Sequence, residues 1–371
     1  MNRLVIIGNG FDLAHGLKTS YQDFINWYWQ QRLEGLHKEP SDTSSDPLCT
    51  FATRRHCSRV YGEYYADPWD HLNRPFNIGF DDDKTDYCTI QKEPLFQSIV
   101  NNIARKGWAD IEQDYYSLLK RLLKDQPIDS EKCKSLNVEL EYLRDKLAEY
   151  LETLERATMN PEILDLLNEP IYLSEIESKP PSLENEKIVE TPNRRANTVY
   201  RFIHPKNTML LSFNYTPTAQ LYKNSTRVDC RYNYIHGDLA DNKRMIFGYG
   251  DELDKDFKVL LDENENEVTK NAKSIRYLEA SHYRELMDFI EAGLFQVYIW
   301  GHSCGNSDRT LLNTIFEHEN CISIKPYYYI NNNGEDNYLD IIQNIYRNFT
   351  NPKNYRDKVV RKPLCKPLLS E

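Results

Sequence analysis

With 371 residues the chain can bury one large core, or a core with an inserted second domain, and its net charge of −11 opposes nonspecific nucleic-acid binding, which needs clustered lysine and arginine. The eight cysteines (49, 57, 88, 133, 230, 304, 321 and 365) form no C-x-x-C pair, so a zinc finger or ribbon has no ligands. The first apolar run, 4–7, is far short of a signal-peptide core or membrane span, so the expectation is a cytoplasmic protein with reduced thiols, no membrane and no stable nucleic-acid partner.

In chain order, 4–7 predicts a short buried strand. Residues 34–92 are polar, aromatic-rich and without clear period, which predicts loops and short helices. From 94 to 168 the period is helical: Ile111, Tyr115, Leu118, Leu119 and Leu122 share one face, and Leu136, Leu140, Leu143, Leu147, Leu151 and Leu154 another. The second stripe is heptad-like and suits either the chain's own core or a partner helix. Residues 169–200, with Pro180-Pro181 and many glutamates, read as a linker. Further strands are predicted at 208–213, 232–235, 245–247, 297–300 and 321–325, with 327–330 behind the last; helices are predicted at 216–223, 275–292, 308–317 and 337–349.

This alternation predicts an α/β fold with a mostly parallel, doubly wound sheet. The gap of nearly two hundred residues between its first two strands requires a large, mainly helical insertion after the first strand. The expected division is a discontinuous core of 1–33 and 201–350, an insertion of 34–200 and a locally basic tail of 351–371.

Gly301-His302-Ser303-Cys304-Gly305 fits the G-x-S-x-G spelling of a hydrolase nucleophile elbow. The triad order on such sheets requires a later histidine. His318 alone follows, at the end of the helix Ser303 would introduce, on the order of 20 Å away at 1.5 Å per residue. Ser303 is therefore not read as a nucleophile. Small residues at a strand-to-helix turn also suit an anion; there Gly301 gives room, Ser303, Asn306 and Ser307 offer donors, and Asp308 caps the helix or holds a ribose hydroxyl.

The other strand ends carry similar chemistry. Gly8-Asn9-Gly10 would let the chain approach a diphosphate, although Leu13 stands where the dinucleotide fingerprint has its third glycine or alanine. Asn9 and Asp12 sit at the carboxyl end of the first strand, Asn214 and Tyr215 at that of the second, and His236 before Gly237 at that of the third. A doubly wound sheet would gather these residues along the edge where such sheets bind ligands.

"IGNGFDLAHGLKTSYQDFINWY", "LSFNYTPTAQLY", "YIHGDL" and "YIWGHSCGNSDRTLL", in that order, resemble the AbiH family, associated with bacterial abortive infection against phage. More distantly, the same order is similar to sirtuin-like NAD-cleaving domains. That resemblance implies a Rossmann-like, sirtuin-like sheet with Asn214 and His236 as catalytic residues, Gly8, Asn9 and Gly10 on a phosphate turn, and Ser303 on a later nucleotide-contacting turn. The sequence departs from it in reading G-N-G-F-D where sirtuins have G-A-G-I-S, in Thr216 where an aspartate is usual, and in lacking a four-cysteine zinc module.

The implied activity is hydrolysis of NAD, or NADP, to ADP-ribose and nicotinamide without a metal, in an anti-phage effector. Asn214 would position water and His236, titrating near neutral pH, would act as base. The alternative is a nucleotide-binding sensor without catalysis. A nuclease-like toxin finds no D/E-x-K cluster. The expected partners are a small-molecule nucleotide, a phage-derived trigger and a second copy through the helical insertion.

Overall fold

The computed structural model describes residues 1–38, 43–53, 87–106, 110–123, 128–193, 198–224 and 229–369. The chain opens with β1 (Asn2–Ile7), α1 (Asn9–Ala14) and α2 (Tyr21–Lys38), followed by a small antiparallel sheet of β2 (Thr43–Ser45), β3 (Cys49–Thr53) and β4 (Tyr87–Lys92). Four helices follow: α3 (Pro94–Lys106), α4 (Ile111–Leu122), α5 (Ser130–Glu152) and α6 (Pro161–Asn168). The side chains of Asp110, Asp129 and Asn160 accept amide hydrogens at the starts of α4, α5 and α6, which explains where those helices begin.

Residues 169–200, read as a linker, instead supply β5 (Ile171–Tyr172) and β6 (Val189–Asn193) and begin β7 (Thr198–Ile203), a second antiparallel sheet in the order β5-β7-β6. Of 34–92, residues 39–42 and 54–86 lie outside the described residues.

The rest of the chain carries β8 (Asn207–Ser212), a 3-10 turn (Pro217–Tyr222), β9 (Asp229–Tyr234), α7 (Lys255–Asp262), α8 (Asn266–Thr269), α9 (Lys273–Arg276) and α10 (His282–Glu291). Then come β10 (Phe295–Trp300), α11 (Arg309–Glu317), β11 (Cys321–Tyr327), α12 (Tyr338–Arg347) and α13 (Pro352–Lys358). The run 245–247 is buried but forms no strand; Ile246 N–H donates to the His236 carbonyl at 2.8 Å within an irregular segment.

The fold is mixed α/β around a five-stranded, all-parallel sheet in the order β11-β10-β1-β8-β9. Alternate residues of each strand face opposite layers. Leu4, Ile6, Leu211, Val297 and Ile299 pack with Leu286 and Ile290 of α10, Leu312 and Ile315 of α11 and Ile345 of α12. Val5, Ile7, Leu210, Tyr298 and Trp300 pack with Phe11 of α1, Ile163 and Leu167 of α6, and Tyr222. Both faces are covered, which is why the strands read as continuous apolar runs. The one charge in β1, Arg3, lies at the end of α6 and donates to the Leu167 carbonyl at 2.7 Å and the Glu169 carbonyl at 2.6 Å.

A separate apolar cluster holds the helical layer. Leu136, Leu140, Leu143, Leu147 and Leu151 of α5 bury their stripe against α2, α3 and α4, together with Met245, Phe247, Tyr249, Leu260 and Val268 from beyond β9. At the outer edge of the main sheet the final residues run along β11: Val360 N–H donates to the Ile324 carbonyl and Leu368 N–H to the Tyr328 carbonyl, each at 2.9 Å.

Candidate functional site

Parallel register sets the carboxyl ends of four strands side by side. Ile7 pairs with Trp300 on one side and Ser212 on the other, and Ser212 pairs with Tyr234. The residues just beyond these partners line a cavity of about 310 Å³: Gly8, Asn9 and Asp12 after β1, Asn214, Tyr215 and Thr216 after β8, His236 after β9, and Gly301, Ser303 and Asp308 after β10. Of the site residues expected from sequence, Gly10 is not among those lining it.

Gly10 serves instead in a backbone contact between two turns. Its N–H donates to the Gly301 carbonyl at 2.8 Å, and Gly8 N–H donates to the Trp300 carbonyl at 3.1 Å. A β-carbon on Gly8 would lie 2.5 Å from His302 Cα. The close approach these glycines permit is thus turn to turn, and the two amides expected to meet a diphosphate are already used.

Asn214 Nδ2 donates to the Gly8 carbonyl at 2.9 Å, which leaves its amide oxygen as an acceptor. Beside it, Thr216 Oγ1 donates to Asp12 Oδ2 at 2.5 Å. Asp12 thus reaches the residues after Asn214 from α1. Asp12 is 1% exposed, and its Oδ1 has no hydrogen-bond partner. Burial pushes its carboxyl above the usual range, although Thr216, Thr218 and Asn214 lie close enough to favour the ionised form.

Asp308 makes no cap bond to α11. Its Oδ1 takes a hydrogen bond from Lys273 Nζ at 2.7 Å and lies 3.3 Å from His236 Nε2, while its Oδ2 lies 3.6 Å from His302 Nε2. Burial opposes ionisation of Asp308, but Lys273 and the two imidazoles hold it well below the usual carboxylate range. His302 Nδ1 accepts Cys304 N–H at 2.9 Å, so its proton is on Nε2, facing Asp308. His236 does not titrate near neutral pH as expected: burial, reinforced by the Lys273 charge, lowers it to about 4. It is a neutral imidazole whose Nε2–H faces Asp308, with Nδ1 as its basic atom.

Among the described residues no histidine is hydrogen-bonded to the Ser303 hydroxyl. The neighbouring His302 has both ring nitrogens engaged, and His318, whose Nδ1 accepts Asn320 N–H at 3.1 Å, does not line the cavity. The turn is strained in another way, with Cys304 at φ 53.

A family model described as "Bacteriophage abortive infection AbiH" matches residues 4–329, a span that includes every residue lining the cavity. The chain belongs to the AbiH family. AbiH membership implies a role in bacteriophage abortive infection. No curated protein and no solved structure matches the chain.

The AbiH match also takes in residues to which the sequence analysis gave no place in the site. Tyr21 of α2, Asp110 and Glu112 at the start of α4, and Leu147 and Leu151 of α5 close the cavity from the helical layer. Glu112 Oε1 accepts Gly248 N–H at 2.9 Å and its Oε2 accepts from Lys273 Nζ at 2.7 Å. Burial raises the Glu112 carboxyl above its ordinary range, Lys273 opposing and Asp308 and Asp110 adding to the rise. In sequence these acids look like the ordinary first-turn acids of a helix, and Lys273 like a solvated lysine.

A second cavity of about 510 Å³ shares Leu151 and Thr216 with the first and is lined further by Arg156, Thr218 and Gln220. Among the described residues no group of three or more His, Cys, Asp or Glu side chains is arranged to hold a metal ion, and no helix is long and apolar enough to cross a membrane.

Proposed function

We propose that this AbiH protein acts in abortive infection by cleaving the bond between nicotinamide and ribose in NAD or NADP. One observation carries the reading: Asn214 and His236 share a cavity with four carboxyl groups, Asp12, Asp110, Glu112 and Asp308, and no lysine or arginine is among its lining residues. Lys273 behind the wall offsets part of this charge through Glu112 and Asp308, and what remains favours a cation. Nicotinamide is joined to ribose as a cationic pyridinium, and the transition state for breaking that bond places positive charge on the sugar. The leaving group departs neutral, so no strong acid is needed.

The Asn214 amide oxygen accepts from the attacking water, and His236 Nδ1 accepts the water's proton directly or through a ribose hydroxyl. As the water oxygen bonds to C1′, the C1′–N bond breaks and its electron pair neutralises the pyridinium nitrogen. The order β11-β10-β1-β8-β9 supports a doubly wound, Rossmann-like reading of the sheet, in which ligands sit beyond the strand ends where the order reverses. That point lies between β1 and β10. The adjoining cavity offers room for the adenosine diphosphate half, with Arg156, which stands beside Glu152 and Glu155 in its lining, as the cation for the phosphates.

A second reading, nucleotide binding without turnover, draws support from His236 itself. A weakly basic, 3% exposed imidazole held by Asp308 and by Tyr277, whose hydroxyl lies 3.2 Å from Nε2, also suits a structural role. Nicotinamide release and NAD affinity, measured on the purified protein with and without phage lysate, decide the matter. Release that falls roughly 10²- to 10⁴-fold in Asn214→Ala and in His236→Ala, with the double variant little worse, supports cleavage. Binding without release supports the sensor, and neither binding nor release overturns both.

A further inference from the structure

Four side chains from separate parts of the chain form a buried row. Glu112 comes from α4, Lys273 from α9, Asp308 from the turn before α11, and His236 from the end of β9. Lys273 Nζ lies 2.7 Å from both Glu112 Oε2 and Asp308 Oδ1, and the same Asp308 oxygen lies 3.3 Å from His236 Nε2. Lys273 is wholly buried and the others are at most 8% exposed. Burying ion pairs costs desolvation, and apolar residues of similar volume often stabilise a fold as well or better. A row of this kind is better explained by what it does at the cavity, where His236 and Asp308 stand on the strand-end turns and Glu112 closes the opposite wall from the helical layer.

We propose that Glu112 and Lys273 are positioning residues, through which the helical layer sets the charge and orientation of the Asp308–His236 pair. One lysine charge is divided between two carboxyl groups. While Lys273 is in place, its charge offsets that of Asp308, and the buried His236 stays neutral with its Nε2 proton directed at Asp308. If α4 shifts and carries Glu112 away, Lys273 loses one of its two anchors. If Lys273 is lost, the full charge of Asp308 falls on His236, and the imidazole takes up a second proton that blocks its basic nitrogen. The other groups facing His236 are Tyr277, whose hydroxyl lies 3.2 Å from Nε2 and whose ring stacks on the imidazole, the edge-on ring of Phe213, and His302 across Asp308. A ligand or partner acting on the helical layer would thereby reach the site without touching substrate.

The proposal rests on the cleavage reading for its consequence, but its first test needs no turnover. Proton NMR of the full chain follows the His236 ring through a pH titration, with His236→Gln assigning the signal. Lys273→Met is the first variant. Lys273→Met combined with Glu112→Gln, which removes the stranded carboxylate, is the second and guards against failure to fold. The His236 midpoint is expected to rise by about one pH unit or more in whichever variant folds, and to stay near that of the unaltered protein in Lys273→Arg. A rise of less than about half a unit overturns the proposal, because a purely structural lysine would leave the titration of the folded molecule where it was.

Kinetics supply the second readout. Glu112→Ala is expected to lower kcat for nicotinamide release about tenfold or more with KM changed less than about threefold, and Glu112→Gln to restore most of it. Loss confined to KM counts against positioning. An unaltered protein that releases no nicotinamide ends the cleavage reading, whereas the titration still decides whether the row governs His236.

Discussion

Gly10 and Gly301 meet backbone to backbone, and a β-carbon on Gly301 would stand 2.7 Å from Gly10 Cα and 2.2 Å from the Phe11 nitrogen. Gly301 also holds φ at +67°, where a side chain is strained. Gly16, at φ +78° with open space around it, separates the two costs. Gly16→Ala is expected to lower unfolding free energy by about 1 kcal/mol, and Gly301→Ala by clearly more, because backbone atoms on a buried turn cannot swing aside. Urea unfolding of both variants checks this, and equal losses would mean that the two turns separate easily.

Glu175 anchors a second buried cluster, on β10 and β11. Its Oε1 takes Lys325 Nζ at 2.7 Å and its Oε2 takes Gln296 Nε2 at 2.9 Å. Glu175→Ala strands a lysine that is 4% exposed, which costs about 3–5 kcal/mol. Adding Lys325→Met is expected to recover most of the loss. If the double variant is no more stable than the single, packing rather than the stranded charge is responsible.

Glu139 gives the protein a pH dependence of definite sign. On α5, 2% exposed, its Oε2 accepts Leu95 N–H at 2.9 Å and Phe96 N–H at 3.3 Å at the start of α3. Burial nevertheless raises its carboxyl to about 8, those two amides opposing the rise. Between about 4.5 and 8 the folded chain therefore keeps a proton that the unfolded chain has released. The stability this group adds is complete below about 4.5 and falls as pH rises through 8, by up to about 1.4 kcal/mol per pH unit. The stability profile of Glu139→Gln, measured by denaturant titration at several pH values, is expected to be flatter across that window.

Arg156 tests the extent of the ligand. It is exposed, lines the second cavity and stands apart from the strand-end residues. Arg156→Ala is expected to weaken NAD binding roughly tenfold while the rate at saturation stays within about twofold, since charge-assisted contacts to a diphosphate act alike on ground and transition states. An unchanged affinity would place the phosphates elsewhere.

The sheet strands were legible because both faces of the central strands are covered, so each carries a short apolar run; β9, with Asp229, Arg231 and Asn233, was legible only in its buried end. The same logic failed at 245–247, where Met245 and Phe247 pack under the helical layer and Ile246 against the sheet without forming a strand: an apolar run reports burial, not geometry. Pro192 and the glutamates around it hid the sheet of β5, β6 and β7, whose strands are largely exposed. At the site, Asn214 and His236 could be found because they sit one step beyond a recognisable strand. Glu112 and Lys273 could not, because nothing in "WADIEQDY" or "KNAKSIRY" tells a charge bound for the interior from one bound for water.

The segment running along β11 also bears on self-association. An uncovered edge strand offers a row of unpaired amides and carbonyls to any neighbouring chain. Here Val360 and Leu368 donate into that row from the same chain, so the β11 side of the five-stranded sheet is partly closed to a strand from another copy.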